Sequence, residues 1–218
     1  VVNEAVDEVT GEMRQTVFTK YLGDAAIDIC FDAARKAAPH AKLVYNDYMG
    51  WGDASARHRD GVLKLLSGLK SRKVPVQLLG VQSHIGPGAN VESQGSNTFN
   101  AADQGVWKQF LDPVVAMDLR LALTEFDVSE RGTPAAIPER DRQIADLARR
   151  YLDFMFAYRQ TDYLMAWGMM DHYSWLQNFG GRRPDGMLKR PTSHDDNYQP
   201  KPLRQAIADA FRNAPPRA

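Results

Sequence analysis

A parallel α/β sheet closed as a (β/α)8 TIM barrel, with strands four to eight of the barrel represented, is the fold that the 218-residue sequence predicts. Three observations carry that prediction. Five short apolar runs recur, at residues 1–2, 43–45, 76–81, 119–123 and 163–167. Segments of helical periodicity lie between them, so the unit repeats at about 40 residues, which is the βα pattern of a parallel sheet. Each run ends in a polar cluster, and the C-terminal ends of strands are where a barrel builds its active site.

Taken in order, the chain opens VVNEAV, which reads as a strand caught midway and leads us to expect a sequence that begins inside a fold. Residues 21–38 read as a helix in which Ile27, Cys30, Phe31 and Ala34 share a face, with Pro39 as the stop. Cys30 is then expected to be a buried small apolar residue. After the run at 43–45, residues 58–73 form a second helix with Val62, Leu65, Leu66 and Leu69 inward. The run at 76–81 follows, then a helix over 101–117 expected to break near Pro113. After 119–123 comes a helix over 138–160. It starts at Pro138 and carries Ile144, Leu147, Tyr151, Phe154 and Met155 as its apolar stripe. The run at 163–167 and a short helix over 206–212 complete the chain.

The strands are nearly continuous apolar runs, as expected where both faces of a sheet are covered. A complete barrel needs roughly 250 residues. Five strands therefore make residues 1–218 a single catalytic barrel domain expected to lack its first three strands. An open doubly wound sheet would also accommodate five strands. No GxGxxG or GxxxxGK[ST] follows any of them, which disfavours the nucleotide-binding form of that alternative.

Composition narrows the functional classes. Apolar residues are 44% and charged residues 25%, an ordinary globular balance. No apolar run approaches the roughly 20 residues of a membrane helix. Lys plus Arg and Asp plus Glu are both 27, so there is no electrostatic footprint for nucleic acid or anionic lipid. The single cysteine cannot form an internal disulfide.

The chemistry-bearing residues begin with Glu4 and Glu125, each directly after an apolar strand. In a barrel both would point into the mouth from opposing sides, and two facing carboxylates are what glycoside hydrolysis requires. Asn3 is placed to donate to a sugar hydroxyl. Gln82 and His84 alternate on their strand and so face one side, as do Glu125 and Asp127. A histidine bonded to both Glu125 and Asp127 would keep a nucleophile ionised and oriented. Taken alone, His84 reads more readily as a satisfied core histidine. Trp167 and Trp175 flank the last strand end; alone, Trp167 reads as core and Trp175 as a platform for a sugar ring. His40 and His58 sit among surface charges and have no assigned role. Asp171, His172, His194, Asp195 and Asp196 supply hard and imidazole ligands for an alternative, metal-dependent hydrolase.

As a set, VVNEAV at 1–6, YNDY at 45–48, GVQSHI at 80–85, LTEFDV at 123–128, AWGMMDHYSWL at 166–176 and DDNYQPKP at 195–202 resemble glycoside hydrolase family 10, the retaining endo-β-1,4-xylanases. The motifs occur in the family's order and span essentially the whole chain. The resemblance implies a (β/α)8 barrel, no cofactor and no metal, xylan or a xylo-oligosaccharide as substrate, and secretion or a periplasmic location. It implies Glu4 as general acid/base and Glu125 as nucleophile. It makes His84 the histidine bonded to that nucleophile, Asp127 the carboxylate partner of His84, and Asn3 the ligand of the sugar 2-hydroxyl. It places Asn46, Tyr48, Gln82, Trp167 and Trp175 along the cleft. Glu4 is then expected to have a raised pKa and Glu125 to stay ionised.

The chain departs from the family in several places. The first three barrel strands, which carry a Lys, a His and a Trp for the non-reducing side, have no counterpart. Met49 stands where Asn is common, and 189–195 read KRPTSHD where many members read PLLFD. The loop 180–186, with Arg182, Arg183 and Asp185, is expected to reshape the cleft rim, and 86–100 to form a mobile loop beside it. Other readings are a barrel glycosidase acting on glucan or mannan, the metal-dependent hydrolase, and an inactive truncated barrel.

Overall fold

The computed structural model describes residues 1–86, 98–130 and 132–216. Most of the expected loop at 86–100 falls outside them. The strands are β1 (Val2–Asn3), β2 (Val44–Asp47), β3 (Leu78–Val81), β4 (His84–Ile85), β5 (Arg120–Val128) and β6 (Thr161–Ala166). All pairings between them are parallel. β3 and β4 are two parts of one strand, interrupted at Gln82 and Ser83 and both paired to β5. The spatial order β1, β2, β3, β5, β6 therefore follows the chain order. A doubly wound sheet reverses its order at a switch point. The steady progression seen here is barrel topology and removes that alternative.

Helices connect the strands: α1 (Val17–Leu22) and α2 (Ala25–Ala37) after β1, α3 (Ala56–Ser71) after β2, α4 (Ala101–Ala116) after β4, α5 (Ile137–Ala157) after β5 and α6 (Pro202–Asn213) after β6. The core lies between sheet and helices. Leu79, Leu121 and Leu123 of the sheet are fully buried beside Leu66, Trp107, Leu111, Tyr151 and Met155 of the helices. β5 is longer than the apolar run that predicts it, because the sheet ladder continues through Glu125 and Asp127 and holds both on regular strand geometry.

Several local expectations are corrected. The helix expected over 21–38 is two helices. Thr16 caps α1 through the Thr19 amide, and Gly23 ends it at φ 55°, a left-handed conformation open to glycine. Cys30 is exposed, because Ile27 and Phe31 take the inward positions of α2. α4 runs through Pro113 without a break, as that proline falls in the last turn, where the lost amide bond is followed by only three helical residues. α6 begins at Pro202, four residues earlier than expected, with proline in the first turn. His58 is fully buried in α3, its Nε2 3.1 Å from Asp47 Oδ1 and its ring edge-on to Tyr48, so it does not belong to the surface. β1 and β6, the two edges of the described sheet, are not covered on both faces. Phe18, Leu22 and Ile29 are exposed beside β1, and Met165 on β6.

Candidate active site

The C-terminal ends of β1, β2, β5 and β6 and the break between β3 and β4 surround one cleft. Its cavity, of about 430 Å³, is lined by Glu4, Gln82, His84, Glu125, Trp167 and Trp175 among others. Glu4 leaves β1 at φ 52°, left-handed for a residue with a Cβ, while its amide donates to the Asn46 carbonyl at 2.9 Å. In an extended strand, Asn3 and Glu4 would point to opposite faces. The left-handed turn at Glu4 instead lets both side chains accept from the same Gln82 amide: Nε2 donates to Glu4 Oε1 at 2.7 Å and to Asn3 Oδ1 at 3.3 Å.

The bridge continues toward the second carboxylate. Asn46 Nδ2 donates to Asn3 Oδ1 at 2.7 Å and to Glu125 Oε1 at 2.8 Å. Its orientation is fixed from behind by Thr124 Oγ1, which donates to Asn46 Oδ1 at 2.5 Å. Room for this side chain comes from Gly80 of β3. A Cβ there would meet Asn46 Oδ1 at 2.4 Å, Val44 Cγ1 at 2.9 Å and Thr124 Cγ2 at 3.0 Å. The two carboxylates are thus joined by a row of amide hydrogen bonds across one cavity.

On the far side of Glu125, His84 Nε2 lies 3.3 Å from Glu125 Oε2 and Nδ1 lies 2.9 Å from Asp127 Oδ1. Trp175 Nε1 donates to the other oxygen of Asp127 at 2.7 Å. Burial opposes charge on the His84 ring, but hydrogen bonds and attraction from Asp127 and Glu125 outweigh it and raise its pKa to about 9. At neutral pH the group is an imidazolium between two carboxylates. Ser83, at φ 64°, breaks the strand just before His84. Gln82 therefore reaches Glu4 while His84 reaches β5, and both face the cleft although strict alternation is lost.

Trp167, core when read alone but a cleft residue by the resemblance, stands over the cleft at the end of β6 at 46% exposure. Trp175 is half-buried and leans on Phe179, ring centroids 4.4 Å apart. Tyr48 is largely buried, with its hydroxyl on Arg14 and its ring lining the cavity. Residues 180–185, expected to help reshape the rim, do not line this cavity but the one next to it. Phe179 is shared with a neighbouring cavity of about 550 Å³, lined by Arg182, Arg183 and Asp185. Arg183 is tied there to Asp185 at 2.6 Å and Glu130 at 3.4 Å.

The residues considered as metal ligands are otherwise engaged. Asp171 is held by Lys201 at 2.8 Å and by Thr192, the Asp196 carboxylate accepts from the His172 amide, and His194 Nδ1 meets Ser193 Oγ. Among the described residues, no group of three or more His, Cys, Asp and Glu side chains is placed to share a metal.

Sequence reasoning missed Thr124, Glu8, Arg14 and Phe179. Thr124 sits inside the LTEFDV cluster and could have been read there as the inward neighbour of Glu125. Arg14 carries no local signal. It arrives beside Glu4 because the chain doubles back through a Val6–Met13 bridge, with the Arg14 amide on the Ala5 carbonyl at 2.8 Å.

Comparison with known proteins fits this geometry. The sequence model described as Glycosyl hydrolase family 10 matches residues 1–210. Endo-1,4-beta-xylanase 2 of Aureobasidium pullulans is 30% identical over 98% of this chain and 56% of its own length. Endo-1,4-beta-xylanase B of Paenibacillus barcinonensis is 28% identical over 92% of this chain and 58% of its own. The chain thus spans a little over half the length of these relatives. Native xylanase 10B from Thermotoga maritima superposes with a TM-score of 0.80 at 27% identity, over 97% of this chain and 59% of that structure. Xylanase 10B from Thermotoga petrophila, solved in complex with xylobiose, gives 0.76 at 27% identity.

Proposed function

The chain belongs to glycosyl hydrolase family 10, and from that premise we propose that it cleaves internal β-1,4-xylosidic bonds of xylan with retention of configuration. The observation that carries this reading is the row of amides linking Glu4 to Glu125 across one cavity, with His84 and Asp127 behind Glu125. Glu125 attacks the anomeric carbon while Glu4 donates its proton to the leaving oxygen. Water then opens the glycosyl-enzyme with Glu4 as base. His84, held on its other nitrogen by Asp127, fixes the orientation of the Glu125 carboxyl. Asn46 bonds both Glu125 and Asn3; Asn3 is the residue we assign to the 2-hydroxyl of the reacting sugar, and Trp167 and Trp175, which line the cavity, are assigned to stack on its ring.

The proposal extends to the whole domain. The apolar residues left exposed beside β1 and on β6 support completion of the sheet by further βα units that close the barrel against both edges. A polymeric substrate supports a place of action outside the cell or in the periplasm.

The test is product stereochemistry by proton NMR on xylan or xylo-oligosaccharides, together with the Glu125→Ala variant. We expect the β-anomer to form first, and Glu125→Ala to lose at least about a thousandfold in kcat, since it removes the covalent step. An α-anomer formed first, or undiminished cleavage by Glu125→Ala, overturns the reading.

A further inference from the structure

We infer that Arg14 is a positioning residue for Glu4, holding the acid/base carboxyl at the leaving oxygen; the inference rests on the acid/base role proposed above for Glu4. A left-handed φ in a residue with a Cβ is strained and persists only where the surroundings over-determine it. Glu4 is such a residue. Its two flanking peptide units are clamped. The Glu4 amide is held by the Asn46 carbonyl, the following Ala5 amide donates to the Tyr45 hydroxyl at 3.2 Å, and Arg14 Nε donates to the Glu4 carbonyl at 2.9 Å.

The first of these clamps continues the β1–β2 ladder, and the second uses a buried core tyrosine. Arg14 differs because it also lines the cleft. Its outer nitrogen donates to Glu8 Oε2 at 2.7 Å and to the Tyr48 hydroxyl at 2.5 Å, and its guanidinium lies 5.9 Å from the centre of the Tyr48 ring. One planar group thus joins the backbone of Glu4 to two side chains of the cleft wall. A guanidinium presents its donors in a rigid fork, whereas a lysine ammonium is a single point of charge and cannot hold the same three acceptors. Misplacing a catalytic group by about 1 Å can cost about a hundredfold in rate. The carboxyl of Glu4 is borne by the very residue whose carbonyl Arg14 clamps, so loss of the clamp is felt at the proton being transferred.

The experiment compares kcat/KM for two aryl β-xylobiosides in the full chain, carrying Arg14→Lys, Arg14→Gln and Glu4→Gln in turn. A phenyl leaving group needs a proton from the acid; a 2,4-dinitrophenyl group departs without one. The ratio of the two values in one preparation is independent of how much enzyme is folded, so partial misfolding does not obscure it. Glu4→Gln is expected to depress the phenyl substrate at least about a hundredfold more than the dinitrophenyl substrate. Both Arg14 variants are expected to follow, with a ratio shifted about tenfold or more in the same direction. If Glu4→Gln splits the substrates but the Arg14 variants lower both in parallel, Arg14 is merely structural and the inference is overturned. If Glu4→Gln itself does not split them, the acid assignment fails and the inference falls with it.

Discussion

His84 is the side chain on which the charge balance of the cleft turns. Its pKa, raised to about 9 by Asp127 and Glu125 against the pull of burial, exceeds the ordinary value of 6.5 for an unfolded histidine. Folding therefore takes up a proton at this site between those two values. The stabilisation it brings is complete below about pH 6.5 and is lost as pH rises through about 9. Thermal melts should show a Tm that falls over that window, and Asp127→Asn should flatten the fall by removing one of the two carboxylates. A Tm that rises between pH 6.5 and 9 contradicts the imidazolium. Glu4, Glu125, His84 and Asp127 could be singled out in the sequence because each lies in a polar cluster after an apolar run; alternation gives the shared face of Glu125 and Asp127, but not the directions of Glu4 and His84, which depend on positive φ at Glu4 and Ser83. Arg14 could not be singled out, because its place depends on a bend of the chain that periodicity does not encode. Trp167 read as core on its own and as a cleft residue only through the resemblance, because an apolar aromatic at the end of an apolar strand has the same local signature whether it faces the core or the cleft.

Among the elements, the sheet was more legible than the helices. The five apolar runs located the strands, and their polar ends located the cleft. Periodicity gave the buried stripe of α3 and α5 but not where α1 stops or what lies opposite α2. A hydrophobic pattern identifies a face, and the partner of that face lies elsewhere in the chain. The break between β3 and β4 was also invisible. It requires Ser83 at a positive φ, which no glycine announces. Glycine does matter three residues earlier, in β3. Gly80→Ala would place a methyl group 2.4 Å from Asn46 Oδ1, with Val44 and Thr124 closing the other sides. We expect it to cost about 1–3 kcal/mol by overpacking and to lower kcat by displacing Asn46 from Glu125, checked by urea denaturation and steady-state kinetics. A Gly80→Ala protein of unchanged stability and rate would show that Asn46 does not need this space.

On the scale of the whole molecule, the order of strands was legible and the closure of the barrel was not, since closure depends on what meets β1 and β6. Beside β1, a cavity of about 450 Å³ is lined by Val2, Phe18, Leu22, Ala26, Ile29 and Cys30. If further βα units complete the sheet there, Cys30 reports it, being the sole cysteine and exposed here. Its thiol should react readily with an aromatic disulfide reagent in the 218-residue chain and be protected when the completing units are supplied. Equal reactivity in both would show that this edge stays open.

The central claim, that Glu4 and Glu125 act on one glycosidic bond, is tested most directly by trapping the intermediate. A 2,4-dinitrophenyl 2-deoxy-2-fluoro-β-xylobioside slows the second step far more than the first, so the sugar should remain bonded to the nucleophile. Peptide mass spectrometry should find one fluoroxylobiosyl group per chain, on Glu125, formed in the wild type and absent from Glu125→Ala. A label on any other residue, or turnover of the natural substrate through an inverted product with no label at all, would contradict the account.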